Sequence, residues 1–283
     1  MVATITDSFV QQFSSNIHDL LEQKGSKLMG LVDMEKVVGD KAFFERIGSI
    51  DVAEVSSRHA DTVLSDPAHS RRMLTIKDYT AAVMLDHQDK IKMLIEPTNN
   101  YAVKLSNGMG RKMDDIIIDA LYGNAAAGAD GSTTVGFDTS NQQIAAGGTG
   151  LTFEKLNQCK KIFLSNEYDG PLTIIMGADG LEDLLAESEI QSIDTNTVKA
   201  LVRGEVDTFM GMKFIINNRI PDVGSDKNAL VFAPEAVKLG VADQLKVNIS
   251  ERADKNHNMQ VHVRSSFGAV RMEEELVVSI LYT

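Results

Sequence analysis

The segment Pro97–Tyr122 limits the possible folds of this chain more than any other, because its pattern predicts one continuous helix. Pro97 fixes φ at a helical value, Thr98 is a residue type that caps a helix, and Gly123 with Asn124 supplies a stop. Apolar residues recur every three or four positions and form one stripe, namely Ala102, Leu105, Met109, Met113, Ile116 and Ala120. At 1.5 Å per residue this helix would be roughly 38 Å long, about twice the length of a common globular helix.

Two glycines lie inside the predicted helix. Gly108 and Gly110 each destabilise a helix interior by about 1 kcal/mol relative to alanine. We therefore expect another segment to pack closely against the helix at these positions, or the helix to bend there.

Three carboxylates lie toward the C-terminal end of this helix, where the macrodipole disfavours anions: Asp114, Asp115 and Asp119. Arg111 is four residues before Asp115 and is expected to pair with it. Two interpretations of the remaining carboxylates stay open. They form a solvated acidic face, or they receive basic groups from another segment or subunit.

Composition indicates a soluble globular chain. The 283 residues are 43% hydrophobic and 24% charged, which allows one large domain or two smaller ones. There is no apolar run of membrane-spanning length, and the N-terminus lacks the pattern of a signal peptide. The single Cys159 excludes an internal disulfide and favours a reducing cytoplasm. A net charge of −12 argues against tight nucleic-acid binding, although the walls of a container for nucleic acid can be acidic.

Two segments before the long helix cannot form a core by themselves. The amphipathic segment Asp7–Lys24 is short and weakly capped, so we interpret it as an arm that needs another surface. The segments Leu28–Val38 and Phe43–Val55 carry apolar residues and are expected to pair as strands.

A polar ribbon follows the arm. Asp66–His69 reads as a turn between two extended stretches, and such a ribbon must dock on another surface because isolated hairpins are marginal in water. The ribbon carries a basic cluster consisting of Arg58, Arg71, Arg72 and Lys77. In an otherwise acidic protein this cluster indicates an acidic docking surface, and the alternative is an exposed basic loop without a partner.

The remaining chain reads as a linker, a compact unit and a tail of strands. Residues 123–150 are rich in Gly, Ala, Ser and Thr and predict a linker or a pair of hairpins. Residues 150–245 predict an α+β unit with the following elements: a helix Phe153–Ser165 capped by Thr152, a strand Leu172–Met176, a helix from Gly180 to about Glu187, a turn and strand within 204–221, a strand starting at Leu230, and a short helix Pro234–Leu239. The tail predicts strands at 245–249, 259–263, 267–272 and 276–281, with a turn at 254–258.

The sequence predicts no catalytic residue, no cofactor and no metal site. It contains neither a phosphate-binding glycine loop nor a nucleophile elbow. Cys159 falls within a predicted amphipathic helix, where a buried structural thiol is the favoured interpretation. His257 and His262 are five apart in strand-like sequence and face opposite sides. The group Asp86, His87 and Asp89 matches no known ligand spacing.

The order of these features resembles the major capsid protein of tailed bacteriophages, whose fold is shared with herpesvirus shells and encapsulin compartments. The strings that carry the resemblance are RHADTV from Arg58, HSRR from His69, MLIEPTN from Met93, GRKMDD from Gly110, GEVDTFMGMKF from Gly204 and FGAVRM from Phe267. The resemblance implies an α+β fold divided as follows: residues 1–54 as N-terminal arm and start of the peripheral domain, 55–90 as extended loop, 91–149 as spine helix and peripheral domain, 150–245 as axial domain, and 246–283 as peripheral-domain strands and C-terminal strand.

The same resemblance implies a structural function. Copies would self-assemble through pentamers and hexamers into an icosahedral capsid that encloses a double-stranded DNA genome, and they would assemble in the host cytoplasm. The implied partners are other copies, a portal protein and packaged DNA contacted weakly and without sequence specificity. A separate scaffolding protein is also expected, because no long coiled coil precedes the arm. The extended loop would lie across a neighbouring subunit, which makes seven residues candidates for subunit contacts: Arg58, Arg71, Arg72, Lys77, Asp114, Asp115 and Asp119. The alternatives are an encapsulin-like shell and, from another class, a cytoplasmic enzyme.

Overall fold

The computed structural model describes residues 22–50, 64–85, 98–186 and 208–283, together with positions 52, 54, 57 and 58. Its helices are α1 (Thr98–Tyr122), α2 (Phe153–Ser165) and α3 (Ala178–Ala186). Its strands are β1 (Asp33–Lys36), β2 (Lys41–Ile47), β3 (His69–Thr75), β4 (Lys77–Leu85), β5 (Ala125–Ala127), β6 (Thr133–Val135), β7 (Gln143–Ile144), β8 (Leu172–Met176), β9 (Thr208–Phe209), β10 (Met212–Ile216), β11 (Lys227–Phe232), β12 (Val237–Arg252), β13 (Asn258–Arg271) and β14 (Val277–Tyr282). The predicted arm segment Asp7–Lys24 lies outside the described residues except for positions 22–24, and the group Asp86, His87 and Asp89 lies outside them entirely.

The chain divides into two compact units. The first comprises Met1–Ser26, Asp78–Met113 and Asp243–Ser266, and the second comprises Lys27–Lys77, Asp114–Ala242 and Phe267–Thr283. Helix α1 and strands β12 and β13 therefore each contribute residues to both units. In the part of the chain that the structure describes, no helix combines the length and apolarity that a bilayer crossing requires.

The predicted long helix is confirmed as α1, which has 25 residues. The N–H of Gly123 donates to the carbonyl of Asp119 at 2.7 Å and closes the last turn. The predicted stripe is right at Met109 and Met113 but shifts in the second half, where Ile117, Ile118 and Leu121 are the buried residues. A strict spacing of three and four misses these positions because the C-terminal half of α1 is packed over a wider face than a single stripe.

The predicted α+β unit is built on a six-stranded sheet in the order β7-β14-β11-β8-β10-β9. The Thr152 side chain accepts the Lys155 amide at 3.4 Å and caps α2, as expected. Strand β8 is buried at every position, while the helix predicted from Gly180 begins two residues earlier, at Ala178. The C-terminal strand β14 pairs antiparallel with β11, so it belongs to this sheet.

A second sheet has the order β2-β3-β5-β6 and corrects two expectations. Strand β2 pairs antiparallel with β3, from Lys41 opposite Thr75 to Ile47 opposite His69. The segments 28–38 and 43–55 therefore do not pair with each other, and β1 pairs parallel with β12 instead. The turn predicted at Asp66–His69 is also wrong, because residues 64–68 have no regular structure and His69 already begins β3.

The physical reason lies in Leu74 of β3, which is fully buried in a cluster with Ala125, Val270 and Met272. This part of the predicted polar ribbon thus packs on its own chain. Distant residues supply the apolar cover that the local sequence lacks. The Gly-rich segment after α1 forms the antiparallel hairpin β5–β6, which is one of the predicted hairpins.

The third sheet has the order β1-β12-β13-β4. The predicted strands 259–263 and 267–272 merge into the single strand β13, and the predicted strand 245–249 is the middle of the 16-residue β12. The short helix predicted at 234–239 is one 3-10 turn, because Val237 already starts β12. The predicted turn at 254–258 is confirmed, with Asn256 and His257 at φ of 53° and 59°.

Candidate subunit-contact residues

Arg71 lies on β3 and is bound by its own chain. Its guanidinium donates to Oε1 of Glu45 on the paired strand β2, with 2.8 Å from Nε, and to the carbonyl of Ala129 at 3.3 Å. It also lies over the Phe43 ring, 5.4 Å from the ring centroid. Both members of the ion pair remain partly exposed, so this pair contributes little to stability.

Arg72, the next residue on β3, is buried and only 4% exposed. Its Nη2 donates to Oε1 of Glu274 at 2.6 Å, and Arg46 lies 3.6 Å from the other carboxylate oxygen. In the single chain Arg72 therefore binds an acidic residue of its own chain, and its contact between subunits stays a prediction. The residue joins the β2–β3 pair to the segment just after β13.

Arg271, which contacts the C-terminal end of α1, was not identified from the sequence. Its fully buried guanidinium donates from Nη1 to the carbonyls of Leu121 at 3.1 Å and Gly123 at 2.6 Å, and so caps the C-terminal end of α1. Cations are favoured at that end by the helix dipole. Burial lowers the pKa of Arg271, and the charge of Glu274 opposes this effect. The string FGAVRM contains this arginine, but no local pattern indicates its partner.

Asp114 is fully buried in the second unit. Its Oδ1 accepts the backbone N–H groups of Lys27 and Leu28, both at 3.1 Å. The carboxylate thus fixes the chain just after residue 26. Of the two interpretations of these carboxylates, the structure shows for Asp114 a receptor within the same chain.

Asp115 accepts a bidentate pair of hydrogen bonds from Arg219, each 2.6 Å long. These hydrogen bonds raise the pKa of the Arg219 guanidinium. The predicted pairing of Arg111 with Asp115 is wrong, since Arg111 donates to Oε2 of Glu22 at 2.9 Å. A bidentate partner from a distant loop provides better geometry than a neighbour on the same helix. Asp119 is exposed.

The last two candidates, Arg58 and Lys77, are exposed. The structure thus brings Arg71 and Arg72 together on β3 but directs them to different carboxylates. Asp114, Asp115 and Asp119 stay on α1, and the first two bind segments of their own chain. The role of these seven residues between subunits stays a prediction.

Exposed apolar side chains mark the far end of the β2–β3 pair. From here on the word ribbon means residues 41–50, 52 and 64–75, which differ from the polar ribbon predicted from the sequence because they include β2 and exclude Arg58 and Lys77. Within it Ile47, Ile50, Val52 and Leu64 are 66, 59, 95 and 89% exposed. Scattered exposed apolar residues are normal, but several at one end of a strand pair indicate a contact surface.

Cys159 is fully buried on α2, and burial raises the pKa of its thiol. A buried thiol with a raised pKa is unreactive, in keeping with a structural role. Among the described residues, no group of three or more His, Cys, Asp or Glu side chains is placed to hold a metal ion.

The long helix α1 and the three sheets agree with the class of viral shell proteins that the sequence strings resemble. A sequence model described as phage capsid protein matches residues 5–283, and the chain therefore belongs to the phage capsid protein family. A comparison with curated protein sequences found no significant match.

Solved structures show the same fold at low sequence identity. The capsid of cyanophage P-SCSP1u has a TM-score of 0.77 at 13% identity, covering 98% of this chain and 94% of that one. The capsid of Ralstonia phage GP4 has a TM-score of 0.75 at 10% identity, covering 100% and 97%. The capsid of a native GTA particle has a TM-score of 0.69 at 13% identity, covering 100% and 98%.

These findings confirm the predicted α+β capsid fold and the predicted class of function. The chain is a structural protein of a phage capsid and not an enzyme, and it is located in the virion.

Proposed function

We propose that copies of this chain assemble through pentamers and hexamers into a closed icosahedral shell that encloses a double-stranded DNA genome. The observation that carries this proposal is the exposed apolar end of the ribbon, with Val52 and Leu64 almost wholly in solvent. A single copy leaves this surface uncovered, whereas a neighbouring copy in a ring covers it.

The paired part of the ribbon, where Arg71 and Arg72 lie, supports this function. Arg71 binds Glu45 across the two strands, and buried Arg72 binds Glu274 outside them. The paired part of the ribbon is therefore bound by its own chain, while apolar side chains at its other end are exposed. Contacts between different surfaces of identical copies close into rings when the rotation closes, and rings of five and six together form a shell.

Charge supports a container for DNA. The net charge of −12 disfavours tight binding of phosphate, so packaged DNA would touch the wall weakly and without sequence specificity. The scaffolding protein and the portal protein are partners that only the family resemblance implies, and they stay predictions.

Electron microscopy of the purified chain, produced alone and together with a scaffolding protein, tests the proposal. We expect closed particles several hundred ångströms across, with five-fold and six-fold capsomers in the image reconstruction. Nuclease treatment of virions separates the DNA claim from the shell claim, because enclosed double-stranded DNA stays protected. Open sheets, tubes or rings of another order would contradict the proposed assembly.

A further inference from the structure

The strands that the structure describes leave one edge of β12 unpaired over the second half of the strand. Strand β1 pairs with β12 only from Lys238 to Val241. Beyond this point, from Asp243 to Arg252, none of the strands that the structure describes pairs with the outer edge of β12. The unpaired N–H and C=O groups of such an edge are a template for another strand.

An apolar stripe follows this edge. Leu245, Val247 and Ile249 alternate along β12, so their side chains share one face, and they are 45, 44 and 42% exposed. On the adjacent strand β13, Val261 and Val263 are fully buried. The apolar side chains are thus fully buried on β13 but about half exposed on β12. A further strand beside β12 would bury them more completely.

The charged side chains that usually protect an edge strand contact other side chains of their own chain here. A lysine on an edge normally discourages pairing. Lys246 instead binds Oδ1 of Asp243 at 2.6 Å, and Arg264 lies 3.7 Å from the same carboxylate. At the end of the strand, Glu251 contacts His257 at 2.7 Å.

We propose that the β12 edges of two copies pair antiparallel across a two-fold axis centred on Val247. The pattern is self-complementary, because apolar residues at 245, 247 and 249 alternate with polar residues at 244, 246, 248 and 250. About this centre Val247 faces its own copy, and Leu245 faces Ile249 of the other copy. A shift by two residues would place Leu245 opposite Glu251 in one direction or Ile249 opposite Asp243 in the other, and a shift by one would turn the stripe to the wrong face.

This inference rests on the proposed function, because the contact is too small to hold a free dimer. Three half-exposed side chains bury much less than the roughly 800 Å² per partner of a stable interface. The other contacts of a shell must therefore bring the two edges together. An isologous contact of this kind closes on itself and does not propagate into fibres.

A Val247→Cys variant tests the pairing inside assembled shells. Directly opposite positions in an antiparallel pair lie close enough for a disulfide after small adjustments. The native Cys159 is fully buried, so background crosslinking is low. Mild oxidation of Val247→Cys shells is expected to give covalent dimers on a non-reducing gel, whereas unaltered shells give none.

A second pair of variants tests the register and replaces the first if Val247→Cys shells do not form. Leu245→Cys and Ile249→Cys are expected to crosslink only when both are co-assembled, because position 245 lies four residues, about 13 Å, from its own copy along the edge. Shells that form but give no dimers in either experiment would overturn the paired edge and leave the proposed function standing. Failure of the unaltered chain to form shells would overturn both.

Discussion

Gly110 is the position at which α1 leaves no room for a side chain. A Cβ there would lie 2.5 Å from the carbonyl carbon of Gly25 and 2.6 Å from the Ser26 amide nitrogen. Backbone atoms cannot move aside as a flexible side chain does. Gly110→Ala is therefore expected to lower the free energy of unfolding by about 1–3 kcal/mol, measured by urea denaturation of the free subunit, in spite of the better helix propensity of alanine.

Gly108→Ala is the matched control on the same helix. A Cβ at Gly108 would meet only the Arg111 Nη2 atom, at 3.5 Å. The variant is expected to gain up to about 1 kcal/mol from helix propensity. Equal destabilisation by both variants would contradict the close approach at Gly110. The two variants are therefore expected to change the free energy of unfolding in opposite directions. This difference depends on the segment 25–26 that packs against Gly110, and the sequence around the two glycines does not indicate it.

Arg72→Glu is expected to destabilise the subunit rather than only its assembly. The substitution would place a carboxylate beside Glu274 in a buried position. Removing one member of a buried ion pair typically lowers the free energy of unfolding by about 3–5 kcal/mol. Chemical denaturation followed by circular dichroism measures this loss.

Arg71→Glu is the surface counterpart on the adjacent residue. Arg71 and Glu45 have side chains that are 38% and 58% exposed, so the loss is expected to stay below about 1 kcal/mol. An assembly defect in a stable Arg71→Glu subunit would then report a contact between subunits. If Arg72→Glu proved as stable as Arg71→Glu, the buried pair with Glu274 would be disproved.

At the scale of elements, local patterns predicted the helices and individual strands well. Helix α2 with its Thr152 cap and strand β8 match their predicted bounds. Strand partners were predicted poorly, because pairing depends on residues far apart in the chain. β1 pairs with β12, and β2 pairs with β3. Two predicted tail strands merged into β13 because Arg264 to Ser266 continue the pairing without a turn.

Lys155 joins α2 to the segment that precedes the helix and to strand β14. Its ammonium donates to the carbonyls of Ala146 at 2.8 Å, Thr149 at 3.0 Å, Gly150 at 2.9 Å and Leu281 at 3.1 Å. Burial lowers the pKa of Lys155, while Asp183 opposes this effect. Lys155→Met would leave several carbonyls without a donor, and we expect a loss of about 3 kcal/mol in the free energy of unfolding.

The exposed Lys161 on the same helix provides the control for Lys155. Lys161→Met is expected to change the free energy of unfolding by less than about 0.5 kcal/mol. Urea denaturation of both variants decides the point. A loss of free energy of unfolding of similar size in both variants would show that the helix responds to any Lys→Met substitution and not to the loss of the hydrogen bonds from Lys155 to the four carbonyls.

At the scale of the whole molecule, the sequence predicted the class of protein but not the contacts of the candidate residues. Basic and acidic residues were identified by type, while their partners lie far away along the chain. Arg219 follows Asp115 by 104 residues, and Glu274 follows Arg72 by 202. Only the fold brings such residues together, so Arg271 at the end of α1 carried no local indication of its role.

The ribbon is the element by which one copy is expected to depend on others. Ile47→Lys combined with Ile50→Lys replaces two apolar side chains that are already largely exposed, so the free subunit should keep its stability within about 0.5 kcal/mol. The added charges would oppose burial against a neighbour, and closed shells are expected to disappear in electron micrographs. Val38→Lys makes the same change at an exposed valine outside the ribbon and should leave shells intact. Normal shells from the double variant would show that the ribbon end is not covered in the assembly. The exposed apolar end of the ribbon would then no longer support the proposed function.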